Sequence, residues 1–169
     1  MRSFLIFGLV LLMVGGCGYA PASRYAKMAV GESVSTEVVI RAEDPQNTVI
    51  IKDAVDTAII TKFRTALVSK GVAETNLKFQ ISSVSFTPLR YDMNGYVVTY
   101  RTTVAMSIER TSAVDKGNYN VSGVYDFNIE PNAIISDQAR FDAIRFASQK
   151  CVDAFSAQVA SQGRKSLKE

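Results

Sequence analysis

Tyr96-Val97-Val98-Thr99-Tyr100-Arg101-Thr102-Thr103-Val104-Ala105-Met106-Ser107-Ile108-Glu109 alternates between two kinds of side chain over fourteen residues. Its even positions (Tyr96, Val98, Tyr100, Thr102, Val104, Met106, Ile108) are mostly apolar or aromatic, and its odd ones include Thr99, Arg101, Thr103, Ser107 and Glu109. Successive side chains of a strand point to opposite faces, so this alternation predicts a long strand with one face buried and one wet. Downstream, Asp115-Lys116-Gly117-Asn118 is a polar turn, and Tyr119, Val121, Tyr125, Phe127 and Ile129 repeat the pattern in a further strand. Upstream, Thr87 to Gly95 is a turn-rich connection in which Asn94-Gly95 is the strongest signal. Before it, Leu77, Phe79 and Ile81 are in phase while Val84 and Phe86 are shifted by one, which predicts a bulge near Ser82-Ser83.

Outside this meander, Ser33 to Arg41 alternates as a first strand. Asp44-Pro45 offers a cap and a first-turn proline for a helix whose stripe runs Ile51, Val55, Ala58, Ile59, Phe63, Ala66 and Leu67 up to Gly71. Ser136-Asp137 opens a second helix with the stripe Phe141, Ile144, Ala147, Cys151, Val152, Phe155 and Val159, ending at Gly163. The order β-α-β-β-β-α predicts an α+β two-layer sandwich: a four-stranded mixed sheet with both helices on one face. The other sheet face is then a polar array that includes Ser35, Glu37, Lys78, Gln80, Thr99, Arg101, Thr103, Ser107, Asn120, Ser122, Asp126 and Asn128.

Composition narrows the chemistry. Histidine is absent from all 169 residues, which removes the commonest general base, the histidine-activated nucleophiles and most zinc sites. No CxxC, GxxxxGK or GxGxxG occurs, so no metal, cofactor or catalytic residue is assigned and an enzyme is not expected. The formal charge of +3 is too small an excess to indicate nucleic-acid binding.

The first residues carry an address. Met1-Arg2 precedes an apolar run, Phe4 to Val14, too short for a permanent membrane span, and Gly15-Gly16 leads into Cys17. This resembles the bacterial lipobox, which implies cleavage before Cys17, diacylglycerol on its thiol and palmitate-type acylation of the freed amine. Several acyl chains on one residue, at about 0.8 kcal/mol per buried methylene, make attachment effectively permanent. Gly18, in place of the aspartate that retains some lipoproteins at the inner membrane, points to the outer membrane. The expected layout is a signal peptide over 1–16, a lipidated tether over 17–31, one domain over 32–163 and a basic tail over 164–169. Cys151 has no partner for an intrachain disulfide once Cys17 carries lipid, and reads as a small buried apolar residue.

The lipobox, Cys17-Gly18-Tyr19, the β-α-β-β-β-α order and the Asn94-Gly95 turn feeding Tyr100-Arg101 together resemble the lipopolysaccharide-assembly lipoproteins of the LptE type. Ser85 to Tyr96 looks like the version in the branch of Campylobacter-like bacteria, while the His-Leu-Arg continuation of enterobacterial members is missing after Tyr19. The resemblance implies a protein that sits inside an outer-membrane β-barrel, helps it assemble and helps pass lipopolysaccharide to the surface. Barrel lumens are polar, so a polar sheet face suits a plug. Because lipid A carries phosphates, Arg90, Arg101, Arg110 and Lys116 are the candidate cations, and Tyr91, Asn94, Gly95 and Tyr96 candidate contacts of sugar or barrel wall. The competing reading is an outer-membrane lipoprotein that regulates a periplasmic enzyme such as a peptidoglycan synthase. The short tether from Gly18 to Gly31, at most about 50 Å long, favours work close to the membrane.

Overall fold

The computed structural model describes Lys27, residues 30–39 and residues 45–166. Cys17, Ile40, Arg41, Asp44 and Lys168 lie outside the described residues. The elements in chain order are β1 (Ser33–Val39), α1 (Pro45–Phe63), β2 (Ala66–Leu67), β3 (Thr75–Tyr91), β4 (Val97–Ser112), β5 (Lys116–Asn128) and α2 (Asp137–Ser166). They form one mixed sheet, β2-β1-β3-β4-β5, with β2, β1 and β3 parallel and β3, β4 and β5 an antiparallel meander. Two helices pack against its apolar face, so the α+β sandwich expected from the periodicities is the observed one, with five strands in place of four.

The extra strand corrects the reading of α1. Ala66 and Leu67 continue the helical spacing, yet α1 stops at Phe63 and Arg64 turns left-handed at φ 53°. The Arg64 N–H reaches the Ile60 carbonyl at 3.0 Å, and Ala66 and Val68 then bond to Glu32 and Val34 along the free edge of β1. A left-handed non-glycine residue costs about 1–2 kcal/mol, and these edge bonds offset it. Gly71 is left in an exposed loop and caps nothing. The second helix also differs: its backbone stays helical past Gly163 to Ser166, because glycine ends a helix only when it leaves helical dihedrals. Its start is as expected, with Ser136 Oγ accepting the Ala139 N–H at 3.2 Å.

The predicted bulge is present as a register shift between Ile81 and Ser83. However, Thr87 to Tyr91 is strand and not connection, and β3 runs 17 residues. Proline in a strand needs an edge. Pro88 has one, since β1 ends opposite Gln80 and leaves β3 unpaired on that side from Ile81 onward. The turn that remains is short: Asp92 Oδ1 accepts the N–H groups of Asn94 and Tyr96 at 2.9 and 2.8 Å, and Gly95 adopts φ 85°.

The core joins Val34 and Val38 of β1 to Ile51, Val55, Ile59 and Phe63 of α1, then to Leu77, Phe79, Val104, Met106 and Ile108 of the sheet and Ile144, Val152 and Phe155 of α2. Val30 is fully buried in it, so packing begins two residues ahead of the boundary expected at Glu32. Phe141, placed on the α2 stripe by spacing, is instead 39% exposed, with the Arg145 guanidinium 5.9 Å from its ring. Cys151 is buried, and its thiol donates to the Val104 carbonyl at 3.2 Å. Burial pushes that thiol up to about 12, so the thiolate at pH 8 is roughly one part in ten thousand. Native protein is therefore expected to resist alkylation at Cys151 under conditions where the urea-unfolded chain reacts fully, as intact mass spectrometry would record. Cys151→Ala is expected to cost roughly 1–2 kcal/mol in urea unfolding.

Candidate functional surface

Both helices lie on one side, and β strands have two. The face away from the helices carries Ser35, Glu37, Asn76, Lys78, Gln80, Ser85, Thr99, Arg101, Thr103, Ser107, Glu109, Asn120, Ser122, Asp126 and Asn128, brought side by side by the strand registers. The array foreseen from the alternation is thus real, and no described element covers it. Side-chain bonds across the strands fix it: Thr99 Oγ1 donates to Asn128 Oδ1 at 2.8 Å, and Ser35 Oγ to Asn76 Oδ1. At its centre-to-distal part Arg101 makes a two-pronged bond to Asp126, Nε to Oδ1 at 2.8 Å and Nη2 to Oδ2 at 2.7 Å. That guanidinium holds the Asp126 carboxyl below the ordinary carboxylate range and is itself raised. Whatever stability the pair adds is present above that range and fades as pH falls through the lowered value.

Near the start of β1 the face dips into a groove of about 300 Å³ lined by Ser35, Glu37, Lys70, Asn76, Lys78, Glu109 and Thr111. Lys70 bonds Glu37 there at 3.3 Å.

The candidate cations do not stay together. Arg90 is exposed near the end of β3, opposite Thr99, and Arg101 is committed to Asp126. Arg110 leaves the set. Strand β4 keeps its phase past Ile108, so Arg110 falls on the helix side, 7% exposed, with Nη2 bonded to Asp115. Burial lowers its affinity for the proton, but Tyr119 and Asp115 outweigh this and the net shift is upward. Lys116 is exposed at the opposite end of the sheet from Arg90, beside Thr111. Tyr91 and Tyr96 flank the hairpin turn at 60% and 45% exposure, and Asn94 and Gly95 form its tip.

Sequence reading missed two features. Leu89 and Met93 are also exposed at that tip, a pattern readable only once Thr87 to Tyr91 is recognised as strand. On the helix side, the sheet outruns α2 and leaves Phe86, Tyr100 and Phe127 half-buried, with centroids 6.3 and 6.0 Å apart and Arg140 5.4 Å over Phe86. Among the described residues there is no cluster of His, Cys, Asp or Glu that could hold a metal, and no helix long and apolar enough to cross a membrane.

A packed two-layer domain offering a bonded polar sheet on one side and an amphipathic hairpin at one end defines a surface for contact. The chain belongs to the lipopolysaccharide-assembly family, LptE, whose model matches residues 36–159. It is a non-enzymatic lipoprotein family. No curated protein matches the chain significantly. Similar solved structures include a minor lipoprotein from Acinetobacter baumannii, 6% identical with a TM-score of 0.47, covering 78% of this chain and 92% of that one. Rare lipoprotein B from Shewanella oneidensis is 11% identical at TM-score 0.40, covering 80% and 93%. Lipoprotein B from Nitrosomonas europaea is 14% identical at 0.43, covering 81% and 87%.

Proposed function

We propose that this chain is an outer-membrane lipoprotein, anchored through Cys17, that plugs and helps assemble the β-barrel exporting lipopolysaccharide. Membership of the lipopolysaccharide-assembly family supports the process. The observation that carries the plug is the uncovered polar sheet face, spanning β1 to β5. A dry protein interface would expose apolar side chains there; a water-filled, polar lumen calls for hydroxyls, amides and paired charges, as this face supplies. A plug that templates folding of its barrel affects barrel and cargo together. Depletion is therefore expected to lower both the mature barrel and surface lipopolysaccharide, and affinity capture from solubilised outer membranes to recover one large barrel. Capture of a peptidoglycan synthase with barrel levels unchanged would transfer the reading to enzyme regulation.

The two distal arginines are separable. Arg90 is exposed with no hydrogen bond or ion pair among the described residues, whereas Arg101 is neutralised by Asp126. Charge reversal at Arg90 is expected to weaken capture of lipopolysaccharide by the purified protein about tenfold, the scale of one charge-assisted contact, and leave barrel recovery unchanged. Arg101→Glu places two carboxylates in register and is expected to reduce barrel recovery, with Asp126→Arg restoring it. Equal effects of both substitutions on lipopolysaccharide would contradict this division.

A further inference from the structure

The free edges of β3 and β5 are built differently. Beyond Gln80, where β1 stops, the open side of β3 is interrupted by the bulge between Ile81 and Ser83, by Pro88 and by the register shifts around Arg90. Bulges and prolines are devices that keep an edge from pairing with a foreign strand. β5 has neither. Its 13 residues include no proline, and it pairs with β4 from Lys116 to Asn128 without a register shift. Among the described residues no strand lies on its other side. The Ser112 N–H bonds the Asp115 carbonyl at 2.9 Å and the Ile129 N–H the Val98 carbonyl at 3.1 Å, which fixes the parity of the β4–β5 ladder. The odd residues of β5 therefore bond inward, while Asn118, Asn120, Ser122, Val124, Asp126 and Asn128 turn their backbone N–H and C=O groups outward. Gln158 of α2 donates to the Asn120 carbonyl at 3.2 Å, so the open stretch is Ser122 to Asn128.

That stretch sets the character of whatever pairs with it. On the open face the neighbours are Ser122, Asp126 and Val124, the last 48% exposed amid the polar array. On the helix side they are Tyr125 and Phe127, both half-buried. An incoming strand must therefore alternate, polar toward one side and apolar toward the other. A second copy of this chain does not fit. α2 lies directly on β5 at Gly123, where an added Cβ would be 2.0 Å from the Ala147 carbonyl oxygen, and two such helices would collide over strands about 4.8 Å apart. A strand with no helix on its back does fit. Strands of outer-membrane barrels alternate in this way, and until a barrel closes its terminal strands keep unpaired edges. Joined to β5, such a strand would continue the polar sheet face with its own lumen side.

We propose that the Ser122–Asn128 edge pairs, backbone to backbone, with an edge strand of the barrel before closure, so that β5 serves as a template during barrel assembly. This rests on the plug reading. The test is Ser122→Pro in the full lipidated chain, supplied as the only copy in the cell. The N–H it removes points outward, so the β4–β5 ladder loses no bond and the urea midpoint of the purified protein is expected to stay near the parent's. Recovery of mature barrel is expected to fall about tenfold, the scale of one or two hydrogen bonds lost from a strand pair. Asn118→Pro removes an outward N–H of the same strand outside the open stretch and is expected to leave recovery unchanged. If Ser122→Pro unfolds the protein, Val124→Pro, also outward, takes its place. Parental barrel recovery from a folded Ser122→Pro protein, with a photo-reactive residue at Thr103 still joining the barrel, overturns the edge pairing and leaves the plug standing. If the parent protein captures no barrel from Thr103, the plug reading fails and the pairing with it. Equal losses from Asn118→Pro and Ser122→Pro would overturn the inference by showing a general effect of proline on β5. Loss of a purified dimer in Ser122→Pro, with barrel levels unchanged, would also overturn it by assigning the edge to a second copy.

Discussion

Gly123→Ala is expected to be among the most damaging single-methyl additions this chain can receive, and Gly123→Val to prevent folding. Gly123 sits in β5 opposite Val104, under the middle of α2. A Cβ there would lie 2.0 Å from the Ala147 carbonyl oxygen, 2.7 Å from the Cys151 nitrogen and 2.8 Å from Lys150 Cβ. Two of these are helix backbone and cannot rotate away, so α2 must lift off the sheet over which it buries Ala147, Cys151 and Phe155. Overpacking costs roughly 1–3 kcal/mol where side chains can shift, and more here, against a total stability of about 5–15 kcal/mol. Gly71→Ala is the control. It lies in an exposed loop where an added Cβ would meet nothing within 4 Å, so a negligible loss is expected. Urea unfolding followed by far-ultraviolet circular dichroism distinguishes the two; equal losses would show that α2 does not press on β5 as described.

Phe155→Ala is the second large effect. The ring is fully buried on α2, 5.8 Å from Phe63 of α1 and edge-on to Tyr119 of β5 at 5.1 Å, and thus joins both helices to the sheet. Its removal leaves a cavity between three elements that cannot all collapse into it, and a cost of about 3–5 kcal/mol is expected. Because Tyr119 also donates to Gln162 at 2.7 Å, the last turns of α2 are expected to lose hydrogen-exchange protection first. A loss below about 1 kcal/mol in the same unfolding assay would mean the core is looser than this packing implies.

Much of the fold was legible because β strands two residues in period and helices with one apolar stripe leave distinct marks. The alternation through Val104, Met106 and Ile108, the slip at Ser82-Ser83 and the Ser136 cap could all be read locally. What could not be read was decided by neighbours distant in sequence. Ala66 and Leu67 look helical, and only the vacant edge of β1 makes them strand. Pro88 signals a turn until β1 is seen to stop short of it. Arg110 was within reach, since carrying the β4 phase two residues beyond Ile108 turns it to the core. Of the candidate surface, most of the polar face was legible; Asn76 and Ser85 join it only through the strand registers. The gathering of Leu89 and Met93 with Tyr91 and Tyr96 at one tip was not, because it depends on where β3 ends.

If the polar sheet face meets the inside of a barrel, site-specific photo-crosslinking in living cells will show it. A photo-reactive residue at Thr103 or Ser122, on the open face, is expected to join the protein to one large outer-membrane barrel. The same group at Thr57 or Ala157, exposed on the helices, is expected to do so markedly less. Equal capture from both sides, or capture of the barrel from the helices alone, would contradict the account.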